Sequence, residues 1–406
     1  MKLKIHRGAS QIGGNIVEIA TDDEKTKIIL DCGRNLPPLD DSDITDDIEI
    51  NGLTNGTSAY DAVFVTHHHA DHCGLIEQIN KDIPIYMSKE TEGVLNVVAD
   101  FLDKPVVCVE DEKILMHEKP VRFGDISVLP LNVSHSARGA LMFLVEADGK
   151  KLLYTGDFKS IDADTYDLIE KTGIDTLLCE GTNISAQKDM TECDIVAKAA
   201  QIMDETESHV FVLSSSTNID RLQAIEKACK KSERALAIDP FMKAILDKLG
   251  YSLETDWIGF MPYYIDPKKW PRAHEYFMRN IRYFKSGDEI AEIAKKKRLT
   301  FMVRQSASMK WFLSNKLAPL TGSAMIYSIW KGYGKTAKTK DFIKHCVTLG
   351  MSELSEDSYL HTSGHAYRDA LVDTISRLNP GTLIPIHTEN ADAFKKLFGN
   401  VVSLED

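Results

Sequence analysis

The sequence predicts an α/β protein: two sheets sandwiched between helices, with an α/β unit inserted into the sandwich. Three observations predict it. Short strand-like runs joined by Gly-rich turns fill the first part of the chain. From about Gln187 the texture changes to alternating helices and strands, the pattern of a small parallel sheet. Near Ser358 the first texture returns. The division that follows is 1–186 and 356–406 for the two parts of the sandwich and 187–355 for the insert. At roughly 170 residues the insert is large enough to fold as a domain.

The elements follow in chain order. "LKIHRG", "NIVEIA" and "KIILDCG" read as strands, with "SQIGG" as a turn. "NLPPLDDSDITDDIEINGLTNG" is acidic and rich in Pro, Gly and Asn, hence loop. "DAVFVT" is a short buried strand. "ADHCGLIEQIN" starts a helix, with Leu75, Ile76 and Ile79 at helical spacing. "PIYMS", "ISVLPLNV", "LMFLVEAD", "KLLYTG" and "TLLCEG" are further strands, and "ADTYDLIEKTG" is a helix. In the insert, "ECDIVAKAAQIMDE", "NIDRLQAIEKACKKS" and "FMKAILDKLG" are helices, separated by the strands "HVFVLSSST" and "RALAID".

A hydrophobic content of 43% supports a packed core in this chain of 406 residues. The first residues contain no apolar signal region, and no apolar run approaches the roughly 18 residues that span a bilayer. No membrane association is expected. Cys32, Cys73, Cys108, Cys179, Cys193, Cys229 and Cys346 are scattered and form no C-x-x-C pair, so reduced thiols and a cytoplasmic location are expected. Net charge is −13, yet Lys268–Lys340 holds 17 Lys and Arg against 4 Asp and Glu. Trp270, Tyr276, Phe277, Tyr283, Phe284, Trp311, Tyr327, Trp330 and Tyr333 interleave with these cations. The mixture predicts a surface for single-stranded nucleic acid, lining or flanking a cleft. Core packing is the competing reading for most of these rings.

The chemistry concentrates in "VTHHHADHCG", Val65 to Gly74. His67 and His69 alternate along an extended loop, so they can point at one ion. Asp71 and His72 open the next element and can reach a second. His68 falls between and points away. Imidazole and carboxylate are zinc ligands, and convergent ligands can hold two ions. His135, Asp157 and His387 each follow a strand-like run, so all can gather on one sheet rim.

His67, His69, Asp71, His72, His135, Asp157 and His387, in that order, resemble the ligand series of the metallo-β-lactamase superfamily. The insert is similar to that of the β-CASP nucleases: "CEGTN", "HTSGHA" and "PIHTEN" match their extra motifs through Glu180, His365 and His387. "TGDFK", "TNIDRLQAI" and "HTSGHA" look most like bacterial ribonuclease J. The resemblance covers nearly the whole chain and is weakest between about Gly250 and Lys340.

It implies two Zn2+ per chain, with Mn2+ or Mg2+ able to stand in. His67, His69 and His135 would hold the first ion. Asp71, His72 and His387 would hold the second, and Asp157 would bridge. Asp71 would also accept a proton, and Glu180 would orient a ligating histidine. Ser363, Gly364 and His365 would bind the phosphate, helped by a helix N-terminus after Gly364, and His365 would protonate the leaving oxygen. "SSSTN" offers Ser215 and Asn218 to a phosphate, or is simply a helix cap. "TGSAM" offers Ser323 to a 5' phosphate. The implied activity is hydrolysis of single-stranded RNA. The rivals are a DNA nuclease of the same superfamily and a silent nucleic-acid-binding subunit. The chain stops at Asp406, so an oligomer built on a C-terminal domain is not expected.

Overall fold

The computed structural model describes residues 1–406 except 41, 43–45, 47, 103, 108, 188, 189, 405 and 406; Cys108 thus lies outside the described residues. Three six-stranded sheets organise the chain. The first runs in sequence order through β1 (Lys2–Arg7), β2 (Ile16–Ala20), β3 (Lys27–Leu30), β4 (Ala62–Phe64), β5 (Ile85–Ser88) and β6 (Ile114–Leu115). The second begins with β7 (Val121–Phe123), β8 (Ile126–Asn132), β9 (Leu141–Ala147), β10 (Lys150–Tyr154) and β11 (Thr176–Glu180). The third takes β12 (Val210–Leu213), β13 (Ala235–Ile238), β14 (Trp257–Phe260), β15 (Phe284–Lys285), β16 (Leu299–Val303) and β17 (Ala324–Tyr327). The chain then returns to the second sheet, where β18 (Thr382–Ile386) pairs in parallel with β11.

The first two sheets face each other. Val17, Ile28, Leu30 and Phe64 of one meet Val128, Phe143, Val145 and Ile384 of the other in one buried cluster. Alternation along β2 and β3 puts Val17, Ile28 and Leu30 on the inner face. Helices Ala163–Thr172 and Arg368–Leu378 close the outer face of the second sheet through Ile169, Leu371 and Ile375. All pairings in the third sheet are parallel, and both faces are buried, which is why its strands read as continuous apolar runs. Helix Lys89–Leu102 belongs to the first part of the chain yet packs Val94 and Val97 into a core of the third sheet.

The helix expected from Ala70 is cut short. It spans Ala70–Cys73, and a single tight turn, Ile76–Gln78, follows. Leu75, Ile76 and Ile79 are buried as expected, but against the outer face of the first sheet from irregular backbone. At Gly74 a Cβ would lie 2.4 Å from the Ala70 carbonyl oxygen and 2.7 Å from Arg34 Cβ, so only glycine fits where the helix ends.

Candidate metal centre

His67 and His69 leave β4 on extended backbone, and Asp71 and His72 sit on the short helix that follows. His135 follows β8, Asp157 follows β10 and His387 follows β18, so the rim of the inner sheets supplies every expected ligand. Strand order explains the convergence: β18, β11 and β10 are neighbours, and β9 and β8 come next.

Two groups form. Nitrogens of His67, His69 and His135 lie together, with His67 Nε2 to His69 Nδ1 at 3.0 Å and His135 Nε2 to His69 Nδ1 at 3.2 Å. Asp71, His72, Asp157 and His387 form the second, with His387 Nε2 3.2 Å from Asp71 Oδ2. Asp157 Oδ2 lies 3.1 Å from His72 Nε2, 3.8 Å from His67 Nε2 and 3.9 Å from His135 Nε2, between the groups. Ligands about 2 Å from a tetrahedral ion are separated by about 3.3 Å, so these spacings suit an ion in each group.

The hydrogen bonds agree. His135 Nδ1 donates to the Gly364 carbonyl at 2.7 Å, and His72 Nδ1 to Asp31 at 2.7 Å. His67 Nδ1 pairs with the Thr66 hydroxyl at 3.0 Å, and His387 Nδ1 with the Thr182 hydroxyl at 2.8 Å. Four outward nitrogens are thus occupied, and four Nε2 atoms face the pocket. There, His72 Nε2 and both oxygens of Asp157 are buried without a hydrogen bond. Buried polar atoms left unpaired in convergent array fit a cation.

The electrostatics show the same need. Burial opposes charge on His72, but Asp157 and Asp31 outweigh it and hold the imidazole well above its ordinary value. Burial and the His72 field push His67 well below. Burial would raise Asp157, yet His387 and His72 outweigh it and keep the carboxyl well below the usual range. Backbone strain is local to the site as well: His387 and Asp31 have φ of 54° and 61°, in the left-handed region. Gly33 admits no side chain, since a Cβ would lie 1.8 Å from the Asp71 carbonyl oxygen.

The sequence reading missed Asp31, Thr66, Thr182 and Tyr154, whose hydroxyl donates to Asp31 at 2.8 Å. "LDCG" and "CEGTN" carried the signal, as polar residues directly after buried strands. His68 has no place in either group and is buried without a partner for its ring nitrogens.

Several expectations change. Glu180 pairs with His365 Nδ1 at 3.1 and 3.2 Å, and not with one of the expected ligands. The N–H groups of Phe158 and Thr182 donate to the same carboxylate and fix its aim. Burial would depress His365, but Glu180 and Asp157 outweigh it and hold the imidazole at about 9. No helix N-terminus lies directly after Gly364. The helix begins at Arg368, and the amides of His365, Ala366 and Arg368 already donate to Ser363 Oγ, Phe158 O and Ala186 O. Gly364 serves packing: a Cβ would lie 2.4 Å from Ser136 Oγ.

Asn218 caps helix Ile219–Lys231 through the Arg221 amide at 3.0 Å, and Ser215 Oγ pairs with Thr217 at 3.0 Å, so the capping reading holds for this loop. Ser323 is wholly buried before β17 and accepts the His209 amide at 3.3 Å. That is the entry edge of the parallel sheet, whereas the segment carrying His365 meets the exit edge, where the Leu360 amide donates to Tyr327 O. Ser323 therefore lies away from the centre. Lys295–Arg298 also precedes a strand, β16, so this part of the basic stretch does not line the centre. Of the interleaved aromatics, Phe284 and Tyr327 are core, and Tyr283, Trp311 and Trp330 are exposed.

A beta-lactamase superfamily domain matches residues 48–214, and a Zn-dependent metallo-hydrolase RNA specificity domain matches residues 357–402. Ribonuclease J of Sinorhizobium meliloti is 21% identical over 90% of this chain and 64% of its own length. An RNase J-like protein of Methanocaldococcus jannaschii is 32% identical over 44% of this chain and 42% of its own length. The crystal structure of a protein of unknown function from Enterococcus faecalis superposes with a TM-score of 0.76 at 21% identity, covering 99% of this chain and 97% of that one, which establishes the shared fold. The chain spans 64% and 52% of the first two curated relatives it matches. Domain matches at both ends of the sandwich, relatives along most of the chain and an ordered His/Asp centre agree: the chain carries metallo-β-lactamase superfamily domains and is similar to ribonuclease J proteins.

Proposed function

We propose that this protein is a two-zinc phosphodiesterase that hydrolyses single-stranded RNA. The observation that carries the reading is the convergence of inward imidazole nitrogens and carboxylates on Asp157, whose oxygens have no hydrogen bond, while the imidazoles are anchored from outside. His67, His69 and His135 would hold one ion, Asp71, His72 and His387 the other, with Asp157 shared. Mn2+ or Mg2+ would fit the same donors less selectively. Bound zinc would supply a water-derived nucleophile near neutral pH and offset phosphate charge. Asp71, at the pocket wall, would accept the proton lost by that water. His365, held cationic by Glu180, would protonate the leaving oxygen. Residues 187–355 would act as a domain that roofs the cleft over the sandwich formed by 1–186 and 356–406. The names of the ribonuclease J relatives support RNA as substrate.

The test is digestion of end-labelled RNA bearing a 5' monophosphate, triphosphate or hydroxyl, beside matched DNA. RNA cleavage that stops on chelation and returns with zinc is expected. Cleavage of DNA alone would replace the substrate, and no cleavage of either would end the reading.

A further inference from the structure

The loop after β17 leaves the same junction as the segment that carries His365. Tyr327 pairs with Tyr359, and Ser328 Oγ donates to the Leu360 carbonyl at 2.6 Å. From this anchor runs "WKGYG", Trp330 to Gly334. Trp330 is 52% exposed, and its ring meets Tyr333 edge-on, with centroids 5.5 Å apart and planes at 90°. The indole is folded over Gly332, where a Cβ would fall 2.1 Å from the ring. Tyr327 donates its hydroxyl to the Trp330 carbonyl at 3.2 Å, which fixes the loop from below. Tyr333 is only part-buried beside the exposed indole. Lys331, between the two rings in sequence, is exposed and lies 4.9 Å from the Tyr359 ring.

We propose that Trp330 and Tyr333 form a right-angled corner that seats one nucleobase of the strand beside the phosphate being cut. The indole gives that base a stacking face, the phenol ring closes its edge, and Lys331 meets the adjoining backbone. An exposed tryptophan on a loop anchored to the segment that carries His365 suits this, because every base has a π face and stacking tolerates sequence. The corner would set the reading frame of cleavage, one base seated per cut, without reading base identity. It rests on the nucleic-acid reading above.

The test combines Trp330→Ala with a series of single-stranded RNAs in which one abasic position is walked across the cleavage site. On intact RNA, Trp330→Ala should raise KM about tenfold, and Trp330→Phe should recover most of the loss. At one abasic position, wild-type KM should rise to the same level, and Trp330→Ala should add nothing further. Losses that multiply at every position would overturn the corner. If wild-type protein cuts no RNA, the hydrolysis reading fails separately. Fluorescence anisotropy of the same labelled strands then decides the corner by the same comparison.

Discussion

Asp157 lies between the two candidate ligand groups. Its Oδ2 faces His67, His72 and His135, and Oδ1 lies 3.7 Å from His387 Nε2. Asp157→Ala should lose bound zinc, read by elemental analysis, and at least about a thousandfold in cleavage rate. His365→Ala should keep the zinc and lose about a hundred- to ten-thousandfold in turnover. Equal zinc loss in that variant would remove His365 from the reaction and place it among the ligands. The clustered His and Asp residues were legible because they are chemically distinctive types at or just beyond strand ends. Asp31 and Thr182 were not, since an Asp or Thr beside glycine reads equally as a turn. Only the fold shows that they face an imidazole.

At the scale of elements, helix Ile219–Lys231 links the third sheet to the centre through one buried side chain. Arg221 donates to Glu192, Ser328 O and Oγ, Leu360 O and Thr362 O. Glu192 in turn takes Lys159, two residues after Asp157, at 3.5 Å. Arg221→Ala strands these acceptors and should cost about 3–5 kcal/mol in chemical denaturation. A surface change such as Lys230→Ala should fall within about 0.5 kcal/mol. "TNIDRLQAI" revealed the helix and its cap, but an arginine in a first turn reads as solvated; its burial follows from segments more than 100 residues away.

His209 gives the third sheet a pH dependence. Burial and the Arg234 charge lower it to about 4, and its Nδ1 accepts the Leu299 amide at 3.2 Å. The folded value lies below the unfolded one, so the unfolded chain takes up more protons in between. Stability is full above about pH 6.5 and falls toward pH 4, by about 1–2 kcal/mol after screening. His209→Gln should flatten that part of the denaturation profile.

For the whole molecule, sandwich and insert were legible because the texture of the sequence changes twice. The direction of the basic stretch was not, since charge counts carry no information on which sheet edge a residue occupies. Lys295–Arg298 precedes β16 on the entry edge, and Trp330 and Tyr333 follow β17 on the exit edge. Among the described residues no helix is long and apolar enough to cross a membrane. Chelation should lower the melting temperature by about 5–15 °C, reversibly on adding zinc, because metal binds the folded pocket and relieves its unpaired charge.

The return of β18 to the second sheet has a consequence in time. His387 and the strand before it are made long after Asp157, and the whole third sheet is synthesised in the interval. At about 5–20 residues per second, that interval is on the order of tens of seconds. A nascent chain therefore carries six of the expected ligands before the seventh is made, and the candidate group that includes His387 stays incomplete until β18 has been synthesised.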